Sequence, residues 1–132
     1  MKKAFIDASF YLALLNAKDH NHQKARKIAK KFLKHRFITS QLVIGEVLTV
    51  GSMRINKPLT ITFAEKILES STLIVLESQE LNQQAFSYFK QIASKNISWV
   101  DCVSFAIINQ LKIGEALTFD KDFEKYRQVY AD

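Results

Sequence analysis

Four acidic residues stand where ordinary solvated carboxylates are not expected. Asp101 falls near the first turn of the mostly apolar stretch Ile97–Ile108, ISWVDCVSFAII. An unpaired buried charge is expensive, so a carboxylate there needs a reason. One reason is a capping box, with Ser98 as N-cap, Asp101 three residues on, and the helix dipole favouring the acid. The other is that Asp101 faces a cation shared with further acids. Glu46 has Leu42 and Val50 at i±4 and Val43 and Thr49 at i±3, so it lies on or beside an apolar stripe. Either it sits at the stripe's border and a Lys or Arg satisfies it, or it serves a site. Asp7 follows the apolar run Ala4-Phe5-Ile6, and Asp120 follows Ala116–Phe119 in the same manner. An Asp past a strand reads equally as a helix N-cap and as a residue at the ligand-binding edge of an open sheet.

Carboxylates crowded together repel one another and drive protonation unless a cation offsets them. Hard oxygen ligands suit Mg²⁺ or Mn²⁺, which also bridge to phosphate oxygens. Such ions activate water and stabilise a leaving oxygen without a protein nucleophile, so the expected reaction is phosphodiester hydrolysis. The chain holds no G-x-x-x-x-G-K-[ST] or G-x-G-x-x-G loop and no convincing Ser/His/Asp or Cys/His set. His20, His22 and His35 lack the spacing of a zinc site and read as surface or capping residues. The single Cys102 lies in the apolar helix, cannot form an internal disulfide, and reads as inert packing.

The elements that must position these acids follow from hydrophobic periodicity. Lys2–Asp7 reads as a strand covered on both faces, followed by an apolar helix over Phe10–Asn16. Asn21–His35 reads as an amphipathic helix with Ala25, Ile28, Ala29, Phe32 and Leu33 inward and Lys24, Lys27, Lys30, Lys31 and Lys34 outward. Phe37–Thr39 is a second strand, and Ser40 starts a helix through about Met53 that carries Glu46. Pro58 marks a break, with Thr62 and Glu65 as a capping box for a helix over Thr60–Ser70. Leu73–Leu76 is a third strand. Ser78 caps a helix over Gln79–Ala93 that faces the core with Leu81, Ala85, Tyr88, Phe89 and Ile92. In the Asp101 helix, Val100, Val103, Ile107 and Leu111 define one packed face. Gly114 is its C-cap signal, Ala116–Phe119 a fourth strand, and Val129-Tyr130 an edge strand. Asp122 is placed to cap a short helical turn. Alternating strands and helices imply a parallel sheet between helical layers, with right-handed crossovers. That topology permits Asp7, Asp120, the start of the Asp101 helix and Glu46 to meet at one edge.

At 132 residues, 48% hydrophobic and 24% charged, the composition is that of one globular domain. No uncharged apolar run approaches ~20 residues, so no membrane span is expected. The N-terminal Met1-Lys2-Lys3 before an apolar stretch superficially resembles a signal peptide, but Asp7 interrupts it, and the segment reads as the first strand and helix of a cytoplasmic protein. The net charge of +6 is unevenly placed: residues 1–36 hold ten Lys/Arg against two acids, the remainder nine against eleven. A basic region beside a more acidic body suits an anionic polymer; a solvated helix face is the plainer reading.

The ordered set Asp7 (FIDAS), Glu46 (VIGEV), Asp101 (SWVDCVSFA) and Asp120 (TFDKDF) resembles the PIN domain, especially the short VapC-like toxins of bacterial toxin–antitoxin pairs. The resemblance covers essentially the whole chain, residues 1–132. It implies a three-layer α/β/α sandwich on a parallel sheet of four to five strands, and an endoribonuclease dependent on Mg²⁺ or Mn²⁺. It implies that Asp7, Glu46, Asp101 and Asp120 form the acidic site, with Asp7, Asp101 and Asp120 as metal ligands and Glu46 completing it directly or through water. Ser9 matches a small hydroxyl that supports a ligand or water, while Asp122 sits where family members vary. The basic helix, through Lys24, Lys27 and Lys31, is a candidate contact for RNA or a partner. An antitoxin that blocks the site and a tendency to dimerise are implied as well.

Two other functions fit the same chain. One is a non-catalytic module of the same fold that binds RNA or protein. The other is a phosphohydrolase acting on small molecules or DNA. A scaffold has no need of a costly charge cluster, and the basic N-terminal third favours a polymer.

Overall fold

A computed structural model describes residues 1–131. Four parallel strands, β1 (Lys3–Ile6), β2 (Arg36–Ser40), β3 (Leu73–Val75) and β4 (Glu115–Leu117), form one sheet in the order β3-β2-β1-β4. The sequence alternates strand with helix, so each return to the sheet is a crossover. The helices α1 (Ala8–Leu15), α2 (His22–Lys31), α3 (Gln41–Arg54) and α4 (Lys57–Glu69) pack together as one layer. The second layer holds α5 (Gln79–Gln91), α6 (Trp99–Gln110) and the short α7 (Asp122–Lys125) and α8 (Arg127–Tyr130). The three-layer α/β/α sandwich expected from the sequence is thus present, with four strands among the described residues.

Central strand β1 is buried from Ala4 onward, as its unbroken apolar run requires. α6 is more enclosed than one apolar face demands, because every residue from Asp101 to Ile108 is buried. It lies between α5 and the rest of the core, so all its sides are covered. Ser40, Ser78 and Ser98 cap α3, α5 and α6 through Val43 N, Leu81 N and Asp101 N.

Several expectations are corrected. Pro58 does not break the chain before a helix: it occupies the first turn of α4, where its missing N–H costs nothing, and Asn56 is the cap. Thr62 donates back to the Pro58 carbonyl instead of capping with Glu65. Leu33 is 71% exposed because α2 ends at Lys31, and Phe89 is 42% exposed, leaning edge-on against Trp99. Val129-Tyr130 is helical. The Tyr130 ring stacks on Phe105 with centroids 4.4 Å apart, its hydroxyl donates to the Phe123 carbonyl, and its own carbonyl accepts from Asn109, which folds the tail onto α6.

Gly114 is not the C-cap of α6. Leu111 is the cap, and Lys112 adopts the left-handed conformation with φ 55°. Its amide donates to Asn109 O while that of Ile113 donates to Ile108 O, a Schellman closure in which buried Ile113 and Ile108 supply the apolar contact. A left-handed lysine carries a steric cost of about 1 kcal/mol that glycine does not. Lys112→Gly is therefore expected to stabilise the protein by about 0.5–1 kcal/mol, read as a rise in the urea midpoint with unchanged m-value.

Candidate active site

The acids meet at the edge of the sheet where the strands end. Asp7 directly follows β1 and is only 4% exposed. It stands at the N-cap position of α1 but makes no side-chain capping bond. Its Oδ2 instead accepts from the Ser9 hydroxyl at 2.8 Å and the Thr118 hydroxyl at 2.9 Å. The Phe119 amide donates to Ser9 Oγ, and the Asp120 amide donates to Thr118 Oγ1. These bonds tie the β1–α1 junction to the β4–α7 loop and fix Asp120 relative to Asp7.

Asp101 enters from the first turn of α6 and is 8% exposed. Of the capping box, the structure shows the half made by Ser98. Its backbone amide donates to the capping Ser98 hydroxyl, while its carboxyl lies close to that of Asp120. One carboxylate oxygen from each of Asp101, Asp120 and Asp122 lies within 4.8 Å of the others. Asp122 does not cap the helical turn. It is the first residue of α7, and its amide donates to Asp120 Oδ1. The geometric trio thus substitutes Asp122 for Asp7, whose Oδ2 is taken up by two hydroxyls.

Glu46 lies on α3 and is solvent-exposed, with Leu42 and Val50 half-buried, so it borders the apolar stripe and does not lie within it. It is nevertheless near enough to feel the charges of Asp7 and Asp120: partial burial first, then these two neighbours, raise its pKa. Burial likewise raises Asp7, with Asp120 adding to it and the Ser9 and Thr118 hydroxyls opposing. Asp101 is pushed up to about 8, first by burial and then by Asp7 and Asp120. Among the described residues no Lys or Arg pairs with any of these acids. The arrangement is an acidic centre lacking a counter-charge, with hard oxygen donors, which is the environment a divalent cation fits.

The remaining candidates fall elsewhere. Lys24, Lys27 and Lys31 are exposed on α2. That helix leads within a few residues to Arg36, at the start of β2 and so at the edge opposite the acids. His22 Nδ1 bonds the Ala13 carbonyl, and His35 packs on Phe32. Cys102 is buried in α6 and its thiol is raised to about 11, as inert packing requires. Thr118 was not singled out from the sequence. Its only signal was a hydroxyl between an apolar strand and Asp120, a position that acquires meaning once β4 is paired beside β1.

The PIN domain family model matches residues 4–129. The chain belongs to the PIN domain family. It is similar to the 23S rRNA-specific endonuclease VapC20 of Mycobacterium tuberculosis, at 31% identity over 120 residues that cover 90% of each protein, in both the CDC 1551 and H37Rv strains. A crystal structure of M. tuberculosis VapC20, described as a sarcin-ricin loop cleaving toxin, superposes with a TM-score of 0.83 at 27% identity, covering 92% of this chain and 93% of that one. No helix of this PIN domain among the described residues is long and apolar enough to cross a membrane.

Proposed function

We propose that the protein is a metal-dependent endoribonuclease, the toxin of a toxin–antitoxin pair, acting in the cytoplasm as a single nuclease domain. The observation that carries this reading is the uncompensated acidic centre, set in a chain that resembles a ribosomal-RNA endonuclease along nine-tenths of its length. Asp101 and Asp120 hold the metal, joined by Asp7 or Asp122, and Glu46 completes the site from its exposed side, directly or through water. The oxygen-only donor set selects Mg²⁺ or Mn²⁺ over softer ions. When bound, such an ion supplies the positive charge that activates water and offsets the charge developing on the phosphodiester. Ser9 and Thr118 hold the Asp7 carboxylate by two donated hydrogen bonds, so that it faces the site in one orientation. Asp101, whose pKa is raised to about 8 by burial and its acidic neighbours, would hold the ion as a carboxylate. Glu46, with its raised pKa, is suited to accept the proton of the attacking water. A cognate antitoxin and a homodimer complete the proposal.

A non-catalytic PIN module makes a different prediction about metal. Thermal melting with and without millimolar Mn²⁺ separates the two. A nuclease is expected to melt several degrees higher with the ion, through binding to the folded state alone. That gain should vanish with EDTA or with Asp120→Asn. No metal-dependent shift in the wild-type protein would favour the binding module.

A further inference from the structure

Between α1, α4 and the sheet lies a hollow of about 240 Å³. Phe10 and Leu14 of α1, Phe63 and Ile67 of α4, and the strand residues Ile6 and Leu117 form its apolar walls. No acidic residue lines it, so it is separate from the acidic centre. Into this setting α1 also brings Tyr11, which is only 4% exposed and whose hydroxyl has no hydrogen-bond partner among the described residues. A buried polar group without a partner costs free energy and calls for an explanation. Phenylalanine would supply the same ring without that cost. Burial raises the Tyr11 pKa, so the hydroxyl keeps its proton and is able to donate. The Tyr11 ring meets Phe63 edge-on at 6.0 Å, and Lys66 stands one turn beyond Phe63 on the same face of α4. Lys66 lines the hollow from an exposed position and forms no ion pair among the described residues. The other polar wall residues, Ser70 and Thr72, are taken up by one another and by the Ile67 carbonyl.

We infer that this hollow is a binding site for a small amphipathic acid, a medium-chain or arylalkyl carboxylate. Its apolar body lies against the phenylalanine and aliphatic walls, and its carboxylate accepts from the Tyr11 hydroxyl and pairs with Lys66. Apolar walls with a small number of polar groups that fix orientation are the usual form of a small-molecule site. A cavity of about 150 Å³ takes benzene, so about 240 Å³ has room for about ten non-hydrogen atoms. A protein partner is held over about 800 Å² on each side, whereas one unpartnered hydroxyl and one free cation match a single small acid. The amides of Phe10 and Tyr11 both donate to the Asp7 carbonyl, so an occupant packs against the turn that presents Asp7. The inference does not depend on the ribonuclease reading, because binding is read without metal or RNA.

The test is calorimetric titration of the wild-type protein in EDTA with octanoate and, separately, with 3-phenylpropionate. Each acid is expected to bind with a Kd of about 1 mM or below, as suits a ligand of about ten non-hydrogen atoms. Octanol, which keeps the chain and lacks the charge, is expected to bind at least about fivefold more weakly. Tyr11→Phe is expected to weaken octanoate about fivefold, the loss of one hydrogen bond, while the ligand-free variant melts no lower than the wild type. Lys66→Gln, at an exposed position, is expected to weaken octanoate about threefold and to leave octanol unchanged. Ala29→Leu, on the wall that α2 contributes, narrows the hollow and should abolish binding. Should Ala29→Leu melt well below the wild type, Tyr11→Phe and Lys66→Gln decide the matter. No binding of either acid at several times that concentration would overturn the inference and leave the hollow to a side chain of a protein partner. Octanol binding as tightly as octanoate, or an octanoate affinity unchanged in either Tyr11→Phe or Lys66→Gln, would overturn it as well.

Discussion

Replacing Asp101 by Asn is expected to abolish RNA cleavage, by about a thousandfold or more, and at the same time to make the metal-free protein more stable. The first effect follows from the proposed role of Asp101 as a charged oxygen ligand of the catalytic ion. The second follows from the cost of keeping that carboxyl in the fold. Asp101 is buried beside Asp7 and Asp120, which raises its pKa from 3.8 to about 8. Its folded pKa lies above its unfolded one, so the stability it contributes is fully present below about pH 4. That stability is lost as pH rises through the folded value. Without metal, the wild-type protein should therefore weaken steadily between pH 4 and pH 8. Asn is uncharged throughout this range and escapes that loss. With one pKa unit corresponding to about 1.4 kcal/mol, and with Asp7–Asp120 repulsion persisting in the variant, a gain on the order of 2 kcal/mol is expected at pH 7.5. Melting curves in EDTA at several pH values check this: the variant should melt about 5–10 °C higher at pH 7.5, with the gap closing towards pH 4. Equal melting at pH 7.5 would mean that Asp101 bears no electrostatic strain.

Phe105→Ala carries the largest expected loss of stability. Phe105 is fully buried on α6, stacked on Tyr130 at 4.4 Å and edge-on to Phe123 at 5.1 Å. It is the surface on which α7 and α8 fold back, and α7 carries Asp122. Truncation removes the apolar contact and leaves a cavity that two aromatic rings cannot both fill, at a cost of about 3–5 kcal/mol. At an m-value of about 2 kcal/mol/M, the urea midpoint should fall by about 2 M. Phe89→Ala, at an exposed position with one edge contact to Trp99, should cost about 1 kcal/mol.

The contrast between Phe105 and Phe89 marks where sequence reading succeeds and where it stops. Periodicity placed Phe89 on a core-facing stripe and left Phe105 off the packed face of its helix, and only the folded chain shows that it is Phe105 whose ring is enclosed. The layers and the parallel sheet were legible because strand–helix alternation permits few topologies, and the serine caps because their offsets are local; the order β3-β2-β1-β4 emerges only in the fold. Lys112 was not legible: the left-handed closure of α6 is demanded by Ile113 meeting Ile108, a packing event that fell on a lysine with a glycine two residues on. The C-terminal segment failed similarly, since Val129-Tyr130 has strand composition and Tyr130's stacking on Phe105 overrides it. At the site, Asp7, Glu46, Asp101 and Asp120 were singled out because acids beside apolar runs are conspicuous, and the fold brings them near enough for their charges to act on one another. Thr118 was missed because a hydroxyl gives no such signal. Asp122 read from the sequence as a cap or a supporting residue, because its nearness to Asp101 arises only across the fold.

The claim that matters most is that this acidic centre, charged with a divalent ion, cuts RNA. Its most direct test is incubation of a mixed RNA pool containing intact ribosomal RNA with the wild-type protein in Mn²⁺ or Mg²⁺, beside an EDTA control and the Asp101→Asn variant. The account predicts discrete cleavage products with the wild-type protein and metal, and none in either control. Cleavage that persists undiminished in EDTA or in Asp101→Asn would contradict it, because the chemistry would then reside elsewhere in the chain.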